Sequence, residues 1–223
     1  MKLLENTQTL VPISDPPIRD QASVESDTTL LEAARILDND SLIQIFDRYA
    51  TSLYRYALRL CRDPLIADQI VGDVFARLLD ELSVGRGPRS NLRAYLYQMT
   101  YHRLVDETRY SNRRAPLEAV DGIQYDDSAV SIVEDRLMFE TVMHAVQTTL
   151  TSDQRNVITL RFLEGMSLRE TALIMGKREN HVKVLQTRAI QHLRKSLQER
   201  AKNAVKSNIA SNNLRDARYE FAV

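Results

Sequence analysis

Leu150–Arg194 reads LTSDQRNVITLRFLEGMSLRETALIMGKRENHVKVLQTRAIQHLR, and this stretch decides the fold. It spells two short helices around a tight turn at Gly176. Small Ala172 lies four residues before the glycine, and apolar Val182 and Leu185 lie six and nine after it. A small side chain lets two helices cross closely, Gly permits positive φ at the bend, and the apolar pair anchors the second helix on the first. On a wheel of about 100° per residue, Val182, Leu185, Ala189 and Leu193 share one side. The other side carries Asn180, Val184, Thr187 and Gln191, flanked by Lys183 and Arg188, with His181 near the flank. Asn, Thr and Gln read base edges in a major groove, a Val meets a thymine methyl, and Lys183, Arg188 and Arg178 suit phosphates.

Upstream, the pattern is helical from Thr29 to Leu82. Leu42, Ile45, Phe46, Tyr49, Leu53, Tyr56, Ala57 and Leu60 recur at the spacing of one buried helical face. Asp63-Pro64 breaks that helix, because Pro cannot continue it. A second helix follows from about Leu65 to Leu82, with Ile66, Ile70, Val74, Phe75, Leu78 and Leu79 as its stripe. Residues 83–90, SVGRGPRS, read as a loop, and Ser90 as the N-cap of a third helix reaching about Tyr110. Residues 134–149 form one helix and 151–163 the next. The helix-turn-helix occupies 167–175 and about 179–200. The expected architecture is all-α. A flexible acidic tail (1–28) precedes a first helical domain (29–112), a linker (113–133), a helix-turn-helix domain (134–200) and a C-terminal tail (201–223) of weak helical propensity.

The 223 residues suffice for one large or two small domains, and 43% hydrophobic content is enough for real cores. Six Gly, six Pro and no Trp favour helices over a β-sandwich. The formal net charge is zero, yet it is unevenly spread. Residues 86–114 carry +5 and residues 155–200 carry +6, whereas residues 1–40 carry −5 and 115–135 carry −6. Basic blocks on two separate modules are electrostatic footprints for phosphate. In the third helix Tyr95, Tyr97 and Tyr101 interleave with Arg93, Arg103 and Arg109. Such a mixture stacks on unpaired bases while Arg holds phosphate, and Tyr95 is the core tyrosine by spacing. Arg86, Arg89 and Asn91 are placed to reach a flipped base or its flanking phosphates.

Catalytic chemistry finds no support, so no catalytic residue, metal or cofactor is expected. The four His lack metal-ligand spacing with Cys or acidic partners, and no Gly-rich loop follows a strand. Cys61, the single cysteine, suits a reducing cytosol and reads as core. No apolar run approaches a membrane span, and the N-terminus has no signal-peptide pattern. A cytoplasmic protein with no membrane insertion is the expectation.

Leu150–Arg194 also resembles region 4 of bacterial sigma factors of the sigma-70 family, in the extracytoplasmic-function (ECF) group. Leu150, Gln154, Arg155, Val157, Leu160, Arg161, Phe162, Glu164, Gly165, Met166 and Ser167 match the family pattern. So do Glu170, Ala172, Gly176, Val182, Lys183, Arg188, Ala189 and Leu193. The first domain is similar to region 2. Residues 67–78, ADQIVGDVFARL, look like the family helix that docks on polymerase, and residues 92–99, LRAYLYQM, look like the helix at the minus-10 element. The resemblance covers about residues 38–200. The chain departs from the pattern at Gln69, Gly72, Leu79 and His102, positions that bear on affinity and promoter choice.

The resemblance implies a sigma factor that binds core RNA polymerase and directs it to promoters. Asp68, Gln69, Asp73, Phe75, Arg77 and Leu78 would meet the β′ clamp helices, with the β flap as a further polymerase contact. Arg86, Arg89, Asn91, Arg93, Tyr97, Tyr101, His102 and Arg109 would hold the melted non-template strand at minus-10. Arg178, Asn180, His181, Lys183, Val184, Thr187, Arg188 and Gln191 would read minus-35 duplex. The acidic linker would lie near the RNA exit path, and an anti-sigma factor is a partner the family admits. The alternatives from the residues are a helix-turn-helix regulator that does not bind the polymerase core, and a helical adaptor that does not bind DNA.

Overall fold

A computed structural model describes residues 21–111 and 133–220; the linker and the ends of both tails lie outside the described residues. Helices α1 (Gln21–Ala34), α2 (Asn39–Cys61), α3 (Pro64–Ser83) and α4 (Leu92–Ser111) build the first unit. Helices α5 (Val133–Thr149), α6 (Ser152–Ile158), α7 (Leu168–Met175) and α8 (Glu179–Glu220) build the second, with a π-helical turn over Thr159–Leu163 continuing α6. No strand occurs among the described residues. The all-α expectation holds.

The single helical run expected from Thr29 onward is two helices. Leu37 takes positive φ, and Asp38 caps α2 by accepting from the Ser41 amide at 2.9 Å. That cap supplies an acceptor for one of the amides a helix start leaves unpaired. Helix α1 also starts eight residues before Thr29. The Asp27 carboxylate holds it to α2, accepting from Arg48 Nη1 at 2.7 Å and from the Tyr49 hydroxyl.

Helix α3 begins as the Asp63-Pro64 pair dictates. Asp63 Oδ1 accepts from the amides of Leu65 and Ile66 at 2.9 and 3.2 Å, and Pro64 fills the first turn, where no amide is needed. Helix α4 is capped by Asn91, not Ser90. Asn91 has φ of 49° and its Oδ1 accepts from the Ala94 amide at 3.2 Å. Asn tolerates that left-handed geometry better than most residues.

The core of the first unit holds Ile45, Leu53, Tyr56, Ile70, Val74, Leu78, Leu92 and Leu96. Each such aliphatic side chain contributes about 1.5–3 kcal/mol on burial. The cluster does not stop at the domain edge, because Val157, Leu160, Met166, Ala172, Ile174 and Val182 belong to it. A smaller cluster of Val146, Leu150, Ile158 and Ala189 ties α5, α6 and α8 together.

Two reciprocal capping boxes start the short helices of the second unit, Thr151 with Gln154 and Ser167 with Glu170. Gly176 ends α7 at φ of 61°, and the Lys177 amide then bonds the Ala172 carbonyl at 2.9 Å. An L-residue would be strained there, which is why the turn needs glycine. Helix α8 runs through the expected C-terminal tail to Glu220. After Gly176 the chain contains neither Gly nor Pro, so no residue type stops the helix.

Candidate nucleic-acid interface

The helix-turn-helix geometry follows from its first turn. Val182 and Ala189 are fully buried, so the side of α8 that carries them faces α7 and α5–α6. Arg178, Asn180, His181, Lys183, Val184, Thr187, Arg188 and Gln191 are all exposed, as a groove-reading face requires. Six of them, from Asn180 to Gln191, line one shallow surface hollow. The Thr187 hydroxyl donates to the Lys183 carbonyl at 3.0 Å, which leaves its lone pairs facing outward.

A residue outside the predicted set orients this face. Arg161 sits in the π-helical turn at 3% exposure. Its Nη1 donates to the Met166 carbonyl and its Nε donates to Gln186 Oε1 at 3.1 Å. The guanidinium therefore braces the turn before α7 against the second turn of α8. A π-helical turn inserts one extra residue into the helical ladder and re-aims the chain beyond it.

On the first unit, Arg86, Arg89, His102 and Arg109 are exposed. Arg86 pairs with Glu81 at 3.1 Å and Arg109 with Asp106 at 3.8 Å, both in solvent, where such pairs are weak. The loop between α3 and α4 is held from behind by Arg35, whose Nη1 and Nη2 donate to the carbonyls of Pro88 and Gly85 at 3.1 and 3.3 Å. Asn91 is exposed, but its side-chain oxygen serves the α4 cap.

Arg93, Tyr97 and Tyr101 are buried, not presented on the surface. Helix α4 is covered on two sides, by α2 and α3 and by α7. A one-face wheel missed the second cover, and so placed Tyr95 in the core. Tyr95 is only partly buried, whereas Tyr97 is completely enclosed.

The expected polymerase-facing set divides in the same way. Asp68, Gln69 and Arg77 are exposed. Asp73 is half-buried and accepts from Arg103 Nε at 3.1 Å. Phe75 packs against Phe46 in a tilted contact with ring centroids 4.8 Å apart, and Leu78 lies in the core. Leu78 supports the helix from inside and does not offer its side chain to a partner.

Between the units runs a polar seam. The Tyr56 hydroxyl donates to Asn156 Oδ1 at 2.8 Å, and Gln98 Nε2 donates to the Leu173 carbonyl at 3.2 Å. Gln147 Nε2 donates to the Arg59 carbonyl. Glu164, at the end of the π-helical turn, reaches into the first unit. Its carboxylate accepts from Arg59 Nη1 at 2.8 Å and from the Tyr97 hydroxyl at 2.6 Å, and its carbonyl accepts from Arg93 Nη2. Burial, followed by the Glu164 charge, pushes the Tyr97 phenol far above its ordinary pKa, so it stays a donor. Neither Arg59 nor the role of Glu164 was marked by the sequence pattern.

Two family models match the chain, Sigma-70 region 2 over residues 45–114 and Sigma-70 region 4 over residues 148–195. The chain belongs to the ECF group of the sigma-70 family. The ECF RNA polymerase sigma factor BldN of Streptomyces coelicolor is 28% identical over 176 residues, which is 78% of this chain and 66% of BldN. The ECF RNA polymerase sigma factor SigX of Bacillus subtilis is 29% identical over 160 residues, 69% of this chain and 82% of SigX.

Two solved structures share the fold. CnrH, in complex with the cytosolic domain of CnrY, has a TM-score of 0.59 at 21% identity, covering 78% of this chain and 98% of that chain. The sigma factor RpoE of Bartonella quintana, in complex with the anti-sigma factor NepR, has a TM-score of 0.57 at 21% identity, covering 70% of this chain and 95% of that chain. In sigma-factor terms, α2–α4 are the body of region 2 and α6–α8 the body of region 4. The chain is a sigma factor, a regulatory protein of transcription initiation. Among the described residues no helix is long and apolar enough to cross a membrane, and no His, Cys, Asp and Glu cluster of metal-binding kind occurs.

Proposed function

We propose that this sigma factor binds core RNA polymerase through region 2 and reads promoters through both regions, with the polymerase doing all the chemistry. The outward face of α8 carries the reading. Lys183, Arg188 and Arg178 take phosphates of the minus-35 duplex, while Asn180, Val184, Thr187 and Gln191 address base edges from the major groove, with His181 at the flank. The observation behind this is that every one of these side chains is exposed on α8 or, for Arg178, on the turn just before it, while Val182 and Ala189 anchor the other side of the helix.

In region 2, Arg86, Arg89, His102 and Arg109 meet the melted non-template strand around minus-10. Asp68, Gln69 and Arg77 on the open face of α3 meet the β′ clamp helices. The β flap and an anti-sigma factor are the further protein partners of this reading. The cytoplasm is the place of action, since that is where polymerase and promoter are. Burial of Arg93, Tyr97 and Tyr101 means that the minus-10 surface is complete only after region 4 moves off α4.

The test is run-off transcription with purified core polymerase on a genomic promoter library. Promoter-dependent transcripts that vanish when the chain is omitted are expected. A chain that binds promoter duplex but neither joins core polymerase nor yields transcript would be a plain helix-turn-helix regulator, and the reading would fall.

A further inference from the structure

Glu164 belongs to region 4, yet its carboxylate lies in a recess made by region 2. Arg59 comes from α2, and Arg93 and Tyr97 come from α4. The Arg59 and Glu164 side chains are each 8% exposed. The Arg93 guanidinium lies 5.4 Å from the centroid of the Tyr97 ring, and the Tyr97 ring lies 5.3 Å from that of Tyr56. From the side of region 2, the Arg59 guanidinium and the Tyr97 phenol converge on a carboxylate that another domain supplies, and the Arg93 guanidinium takes the carbonyl of the same residue.

Chemically, the recess is a set of donors. Guanidinium groups only donate, and the Tyr97 phenol keeps its proton. One cation, Arg59, pairs with the carboxylate and a second, Arg93, holds the carbonyl of the same residue, so the recess suits an anion with more than one acceptor oxygen. A phosphodiester presents two non-bridging oxygens much as a carboxylate presents two, and Arg binds either one with directed hydrogen bonds. The recess is also cut into α4, the helix that resembles the minus-10 reader.

We propose that Arg59, Arg93 and Tyr97 form a phosphate-binding pocket for single-stranded promoter DNA, and that Glu164 fills it as an internal phosphate mimic while regions 2 and 4 are together. The proposal rests on the sigma-factor reading. DNA strand and region 4 then compete for one site, and the free chain is self-masked against single strands. The hydrogen bonds of the seam suit this exchange, because such groups trade partners with water and DNA at little net cost, and the shared apolar cluster is what holds the closed state in the free chain.

The experiment measures binding of the full chain to a fluorescent mixed-sequence 15-nucleotide single strand, alongside its radius of gyration by X-ray scattering. In Glu164→Gln the shape is kept and the charge lost. Its radius of gyration should rise and its affinity for the strand should increase about tenfold, the gain expected if a competent open state was about 10% populated. Adding Arg93→Ala to Glu164→Gln should abolish that gain and lower the slope of log affinity against log salt by about 0.7, one single-strand phosphate. Asn156→Ala opens the seam away from the pocket and should raise strand affinity in the same direction, which keeps the test sound if Glu164→Gln folds poorly.

Domains that separate without any gain in strand binding, or a gain that survives Arg93→Ala, would overturn the pocket. So would an unchanged radius and unchanged binding in both seam variants. Run-off transcription by the wild-type chain is the separate control. A transcript with no gain in the variants sinks the pocket alone, and no transcript sinks the sigma-factor reading beneath it.

Discussion

Under the proposed function, single residues on the outer face of α8 divide into those that hold the helix on DNA and those that choose the sequence. Lys183 and Arg188 are exposed cations, the two on this helix proposed to take phosphates. Replacing each by Ala should weaken duplex binding by a similar factor on every promoter and lower the salt slope by about 0.9 per lost phosphate contact. Titrating fluorescent minus-35 duplexes at several salt concentrations checks this; a loss confined to one sequence would reassign the residue to base readout. Cys61 is a different case. Burial raises its thiol pKa, and Sγ donates to the Asp63 carbonyl at 3.3 Å. A thiol with a raised pKa is protonated at neutral pH, and only the thiolate is nucleophilic. Alkylation of the native chain should therefore be slow at pH 7 and rise with pH only beyond the ordinary thiol value. Fast labelling at pH 7 would contradict the buried setting.

Helix boundaries explain what the sequence made legible and what it hid. The Asp63-Pro64 start of α3, the capping of α7 and the Gly176 turn depend on residues within four positions of each other, so local chemistry specifies them. The split between α1 and α2 was equally local: Asp38 and Ser41 were in view, but the apolar spacing across them masked the cap. Helix α4 was harder for a physical reason. Its second buried face is covered by α7, some 70 residues later, and no local period encodes that contact. The same distance hid the Glu164 site, whose partners lie 67, 71 and 105 residues away. At Gly176 the local device carries a measurable cost. Gly176→Ala forces a Cβ into φ of 61°, with no neighbouring atom in the way of the methyl itself. The expected loss is therefore backbone strain alone, about 1 kcal/mol. Urea unfolding followed by circular dichroism reads it, and a neutral or stabilising substitution would mean that the turn relaxes to another conformation.

Across the whole molecule, two domains share one buried cluster but are joined by polar groups at its margin. Their association therefore rests on shared apolar burial, to which the paired hydrogen bonds at the margin add. Tyr56 of region 2 and Asn156 of region 4 give the clearest measure, because both are buried and their bond spans 100 residues at 2.8 Å. Tyr56→Phe leaves the ring in place and removes one donor. It should cost about 1–2 kcal/mol, since it deprives the buried Asn156 oxygen of a partner. Asn156→Ala should cost a comparable amount, and the double variant should cost less than the sum by about 1 kcal/mol, the coupling of a direct bond. The cycle is read from urea midpoints of the intact chain. If the two losses simply add, the hydroxyl and the amide do not meet in solution, and the domains of the free protein stand apart. If they couple, the free sigma factor is closed, and α4, the helix proposed to meet minus-10, must be uncovered before it can serve a promoter.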